Sequence, residues 1–204
     1  MAGQVRPLII PDVVLIEAAG SADARGGFCE LVTSGVLQQA DGCDLAIQQV
    51  NWSVSVYGAL RGIAVTDVPP RQAKLVTCLK GAVLDVAVDL RTGSPTFGCW
   101  HMERLDQDHL AVMYLPPGVG HAFLSLADGS AVLYLLTHDH DAARERRVNP
   151  LDPRIGIRWP HGIDPVLSPR DAAAPGLEDA LRAGFLPAYA ACTAMTVPAL
   201  SRNE

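Results

Sequence analysis

Between residues 45 and 140 the sequence breaks into short β-type runs set apart by clusters of Gly, Pro and Asp, with no helical periodicity between them. Runs recurring about every 8–12 residues in this way fold as an antiparallel sandwich or barrel. Gln49–Tyr57 (QVNWSVSVY) alternates strictly: Gln49, Asn51, Ser53 and Ser55 share one face, and Val50, Trp52, Val54 and Val56 share the other. Lys74–Leu79 and Val83–Leu90 flank Lys80-Gly81, which reads as a hairpin turn. Phe97–Leu105, Leu110–Leu115, His121–Leu126 and Ala131–Thr137 follow, with turns at DQDH, PPGVG and ADGS.

The flanks are of another kind. Asp23–Glu30 is a Gly-containing turn leading into a β-like run, Ser34–Ala40 fits one or two helical turns, and Leu177–Ala183 is helix-compatible within a Pro-rich stretch. With 204 residues, 49% of them hydrophobic, the chain has material for one sizeable core. It reads as a single domain over 1–204: an N-terminal arm (1–45), a barrel core (46–140) and a Pro-rich, partly helical C-terminal segment (141–204). Sixteen Lys+Arg against 22 Asp+Glu, net −6, leave no footprint for nucleic acid or an anionic membrane. The five cysteines are scattered without a CxxC pair, which predicts free thiols, with Cys78 a small core residue. Pro7 and Pro11 interrupt the apolar N-terminus, so neither a leader nor a span is expected, and the expected location is cytoplasmic.

Polar residues recur where an enclosed face is expected: Gln49, Asn51, Ser53, Ser55, then Arg61 after the next turn, and Lys74. A small barrel with one polar inner surface is a ligand container, whereas a solvent-facing sheet would account for any one strand alone. Arg61 and Lys74 suit a phosphate or a developing oxyanion, the one as a planar fork and the other as a compact charge. His121, after PPGVG, stands where its ring can enter the mouth or be an ordinary packed residue. His138 and His140 form an HxH pair that a strand would place on one face, with Glu145 or His121 as a further ligand, but the spacing supports no metal assignment.

LRGI at 60–63, QAKLVTC at 72–78, AVLDVAVDLRTGSPTFGCW at 82–100 and YLPPGVGHAF at 114–123 resemble the dTDP-4-dehydrorhamnose 3,5-epimerase family. So do VLY at 132–134, NPLDP at 149–153, IRWP at 157–160 and LSPRD at 167–171. DARGGFCE is similar to that family's D-x-R-G-x-F-x-E segment and QVNWSVS to its Q-x-N-x-S-x-S strand, so the resemblance runs in order over roughly residues 10–175. VPP before QAK is similar to the branch acting on deoxysugars of antibiotics.

The resemblance implies an all-β, cupin-type jelly-roll barrel with short flanking helices, assembled as a homodimer with exchanged N-terminal arms and using no cofactor. It implies epimerisation at C3 and/or C5 of a dTDP-4-keto-6-deoxyhexose, which needs a base, a proton donor and a cation at the enolate oxygen. By that resemblance Lys74 stabilises the enolate, Tyr134 donates the proton, Asp171 orients the base, and Arg61 and His121 hold the diphosphate. Arg25, Phe28 and Glu30 reach the partner's nucleotide, while Gln49 and Asn51 line the cavity.

The departure is at the base, because the family reads LRG-[IL]-His and this chain reads LRGI-Ala64. Loss of a positioned base costs about 10²–10⁴ in rate. Where the family has Y-x-P-x-x-E, this chain has His140 to Glu145, and the following Gly is Arg147. His140 is therefore a candidate replacement base or a plain surface residue. Three readings follow: a weakened epimerase, a container that binds a nucleotide sugar without epimerising it, and a heterodimer partner lending its arm to an active homologue. Restoring His at position 64 is expected to raise exchange about tenfold or more if the pocket is otherwise intact.

Overall fold

Thirteen strands and four short helices make up the described residues, 3–41 and 46–193, of this computed structural model. In chain order they are β1 (Gln4–Pro7), β2 (Val14–Glu17), β3 (Ala19–Asp23), β4 (Gly26–Glu30), α1 (Ser34–Asp41), β5 (Gln49–Ser55), β6 (Leu60–Thr66) and β7 (Lys74–Lys80). They continue with β8 (Ala82–Asp89), β9 (Trp100–Asp106), β10 (Ala111–Leu115), β11 (Val119–Ser125), β12 (Ser130–Leu136), β13 (Glu145–Arg147), α2 (Pro169–Ala172), α3 (Leu177–Arg182) and α4 (Tyr189–Thr193).

Two antiparallel sheets face each other, in the orders β1-β2-β10-β7-β12-β5 and β13-β6-β11-β8-β9, and β3-β4 forms a separate two-stranded ribbon. This is the jelly-roll architecture expected. Both sheets draw strands from outside 46–140: β1 and β2 complete one and β13 the other. The expected strands are present with small shifts. The exception is the run starting at Phe97, which enters β9 only at Trp100. Buried Asp89 accepts hydrogen bonds from Ser94 (2.5 Å) and Thr96 (2.6 Å), and that gathering curls residues 94–99 into turns. β6 escaped the sequence reading, which put Arg61 after a turn rather than within a strand.

Alternation decides what each sheet buries. Inward residues Leu15, Val76, Val83, Met113, Phe123 and Val132 form a core between the sheets. The outer face of the β6-β11-β8 sheet (Ile63, Val65, Val86, Val88, Ala122) is covered by Ile155, Leu177, Ala180 and Leu186 from the C-terminal segment. The outer face of β2, β10 and β7 is covered by Val36, Leu37 and Ala40 of α1. Apolar residues on both faces therefore follow from a sheet covered on both sides. β5 is the edge strand, and its outer row stays bare, with Trp52 at 70% exposure.

Arg91, fully buried, pairs with Asp89 (2.9 Å), donates to the Pro11 carbonyl and lies 4.8 Å from the Tyr189 ring. One cation thus ties the N-terminal segment, the β8 end and α4 together. The described cysteines, Cys29, Cys78, Cys99 and Cys192, are free thiols. Cys43 and the tail beyond Thr193 lie outside the described residues. Among the described residues, no helix is long and apolar enough to cross a membrane.

Candidate active site

The apolar core fills only one end of the space between the sheets. At the other end lies a cavity of about 920 Å³ lined by Asn51, Ser53, Arg61, Ala64, Lys74, His121, Tyr134, Glu145, Arg147 and Asp171, among others. Each wall has a local cause. On β5 the alternation points Gln49, Asn51, Ser53 and Ser55 inward, as the sequence predicted. On β6 the register to β11 shifts between the pairs His121–Ala64 and Phe123–Arg61, so Arg61 and Ala64 share the inner face although three residues apart. Gly62 between them has φ +106°, and a Cβ there would collide with the His121 carbonyl oxygen, which is why a glycine follows Arg61.

Lys74 is partly buried, and its ammonium makes no hydrogen bond or ion pair with a described residue. Burial pulls its ammonium down to about 8, and nearby Arg147 adds to this while Glu145 opposes it. Tyr134 Oη lies 3.1 Å from Ser53 Oγ, and burial raises its phenol further above the ordinary range. Arg61, exposed at the mouth, donates through Nε to Ser55 Oγ (3.1 Å) and through Nη2 to the Val54 carbonyl (3.3 Å). Gln49 donates to Asn51 Oδ1 (2.8 Å) and accepts from the His140 backbone (2.7 Å).

His121 is buried, with Nε2 2.6 Å from Asp85 Oδ1 and its ring 5.9 Å from that of Tyr134 in an edge-on arrangement. The sequence reading missed Asp85. Its signal was a carboxylate at an inward position of the apolar run AVLDVAVD, where an unpaired charge would be costly. Arg147, which the sequence marked only as a departure from the family's Gly, is the other participant. It donates to Glu145 Oε1 (2.7 Å) and Asp171 Oδ1 (3.0 Å), and its backbone pairs across the strand with Ala64. Asp171, expected to orient a base, is held by a guanidinium instead. Burial alone would raise the Glu145 carboxyl, but Arg147, then Lys74 and His140, hold it low.

His138 and His140 lie beyond β12, so the expected shared strand face does not arise. His140 stands at the rim with Nδ1 3.9 Å from Glu145 Oε2. Among the described residues no group of three or more His, Cys, Asp and Glu is gathered as a metal site. Arg25, Phe28 and Glu30 are exposed on the β3–β4 ribbon and away from this cavity; Arg25 pairs with Asp23 at 2.6 Å, and Phe28 is 70% exposed.

The model of the dTDP-4-dehydrorhamnose 3,5-epimerase family matches residues 7–179. This chain belongs to that family. A relative from Streptomyces griseus, a dTDP-4-dehydrorhamnose 3,5-epimerase, is 49% identical over 190 residues, 93% of this chain and 94% of the relative. The crystal structure of a 4-keto-6-deoxy sugar epimerase from the novobiocin biosynthetic gene cluster of Streptomyces spheroides is 47% identical (TM-score 0.91), covering 94% of this chain and 96% of that one. A 3'-monoepimerase from Streptomyces bikiniensis, in complex with dTDP-quinovose, is 47% identical (TM-score 0.88) over 91% of this chain and 94% of that one. The fold of this family member is thus that of the solved epimerases.

Proposed function

We propose that this chain is an epimerase-type isomerase acting at C3 and/or C5 of a dTDP-4-keto-6-deoxyhexose in deoxysugar biosynthesis. The observation that carries the reading is the convergence of Lys74 and Tyr134 on one cavity in a member of this family. When a proton leaves the carbon beside the C4 ketone, its bonding pair forms a C=C bond and the ketone oxygen takes the negative charge. The Lys74 ammonium, which makes no ion pair among the described residues, partners that oxygen. Tyr134, kept neutral by burial, has a proton to return. Arg61 at the mouth offers a diphosphate its planar fork, and Gln49 and Asn51 line the way in. With Ala64 in place of an imidazole, turnover is weakened.

The chain acts as a homodimer in which Arg25, Phe28 and Glu30 of the ribbon serve the other subunit's nucleotide. The bare apolar row on edge strand β5 and the exposed Phe28 support that assembly. A second reading, a homologue that binds the nucleotide sugar without epimerising it, draws its support from the Arg147–Asp171 ion pair. Incubation with dTDP-4-keto-6-deoxyglucose in D2O separates the two. The first reading predicts deuterium at C3 or C5, reduced about 10²–10³-fold by Lys74→Met. Tight dTDP binding with no deuterium uptake supports the second.

A further inference from the structure

Arg147, Ala64 and His121 are successive cross-strand neighbours on β13, β6 and β11, so the three side chains stand in a row on the cavity face. The methyl of Ala64 leaves the guanidinium and the imidazole to divide the space between them. On one side Arg147, bound to Asp171 and Glu145, is permanently charged and takes no proton. On the other side His121 has the anatomy of a base. The Asp85 carboxylate can only accept, so its 2.6 Å contact puts the ring proton on Nε2. Nδ1 then carries the lone pair, and no hydrogen bond to it is made among the described residues.

The carboxylate itself is informative. Asp85 is fully buried, and its Oδ2 has no hydrogen-bond partner among the described residues. A buried charge resting on one imidazole contributes little to packing stability and is costly to desolvate. It does favour an imidazolium formed in transit, as the carboxylate of a catalytic triad does. The Tyr134 ring beside His121 places the proton donor within the same neighbourhood.

We propose that His121, oriented by Asp85, is the group that abstracts the substrate proton in this chain, in the absence of an imidazole at position 64. The proposal rests on the epimerase reading given above. His121 Nδ1 accepts the proton from the carbon beside the ketone, the C–H pair becomes the C=C bond, and the carbonyl π pair moves to the oxygen facing Lys74. The reverse flow consumes a proton from Tyr134 or from the imidazolium, so no other reactant is needed. Because both groups meet at one end of the cavity, return to the original face competes with inversion, and deuterium exchange outpaces epimerisation. Asp85 is a positioning residue.

The test measures deuterium uptake into dTDP-4-keto-6-deoxyglucose, with dTDP titration calorimetry and thermal melting alongside. His121→Asn is expected to lower kcat for exchange by about 100-fold or more while leaving the dTDP affinity within about threefold. Asp85→Asn is expected to lower kcat about tenfold, with Asp85→Glu recovering part of it, and it decides the matter if His121→Asn does not fold. Preserved kcat with raised KM and weakened dTDP binding would make His121 a diphosphate ligand and overturn the proposal alone. An unsubstituted protein that binds dTDP but exchanges nothing overturns the epimerase reading and this proposal with it.

Discussion

On β7 the inward side chains run Lys74, Val76, Cys78; on β8 they run Val83, Asp85, Ala87; on β11 His121 gives way to Phe123, and on β12 Tyr134 to Val132. On β7, β11 and β12 the polar residue and the apolar one are successive inward positions, whereas on β8 Asp85 stands between two core residues, Val83 and Ala87. At the apolar end Val76, Val83, Phe123 and Val132 are at or near zero exposure and touch one another. At the polar end a lysine with no ion pair among the described residues, a half-satisfied carboxylate and a neutral phenol surround a void. The first arrangement lowers the free energy of the fold. The second raises it, and is intelligible only if a ligand supplies the missing contacts.

The two ends meet on β11, where substitutions one inward position apart should behave differently. Phe123 and His121 are two apart on β11 with ring centroids 6.2 Å apart. Phe123→Ala is expected to cost about 3–5 kcal/mol of unfolding free energy, read by chemical denaturation. His121→Asn is expected to cost far less stability and far more turnover. Equal stability losses at the two positions would mean that the polar end is structural packing after all.

A histidine placed at 64 meets Arg147 already seated on Asp171, so the pocket is not intact in the sense an LRG-[IL]-His alignment assumes. Ala64→His alone is expected to change inversion at C3 or C5 by less than about threefold. Adding Arg147→Ala, which frees the carboxylate for the new imidazole, is expected to raise it about tenfold over the single variant. Arg147→Ala by itself leaves buried Asp171 unpaired and is expected to destabilise by about 1–3 kcal/mol, a loss the double variant recovers. Additive effects across this cycle would separate positions 64 and 147.

How far the sequence reveals these two ends differs for a physical reason. Period-two alternation and turn chemistry are local, so β5, β7, β8 and β10 to β12 were legible nearly to the residue, and so was the inward set Gln49, Asn51, Ser53, Ser55. β6 was not, because LRGIAVT is apolar on both faces and its register shift hides the parity that unites Arg61 with Ala64. β1, β2 and β13 are three or four residues long, below the length at which alternation can be read. Asp85 and the Arg147–Asp171 pair depend on contacts between residues 24 to 36 apart, which no local pattern encodes. The resemblance could assign Asp171 a role but could not show that its partner had changed.

The pH dependence of stability reports on Lys74, and its sign follows from linkage. Its ammonium titrates near 8 in the fold against 10.5 in the open chain, so between those values the unfolded state holds more protons and stability rises with pH. Below about pH 8 the full cost of the buried charge is present; above about 10.5 it is gone. Lys74→Met removes the titrating group, so the variant is expected to be the more stable protein at pH 7, with the gap closing as pH approaches 10.5. Denaturation curves for both proteins at pH 7, 8.5 and 10 read this directly. Exchange by the unsubstituted protein should decline above about pH 8, where the cation facing the enolate oxygen is lost. A stability gap that stays constant with pH would place the lysine charge in solvent, and the polar end would then lack the desolvated cation on which its chemistry is built.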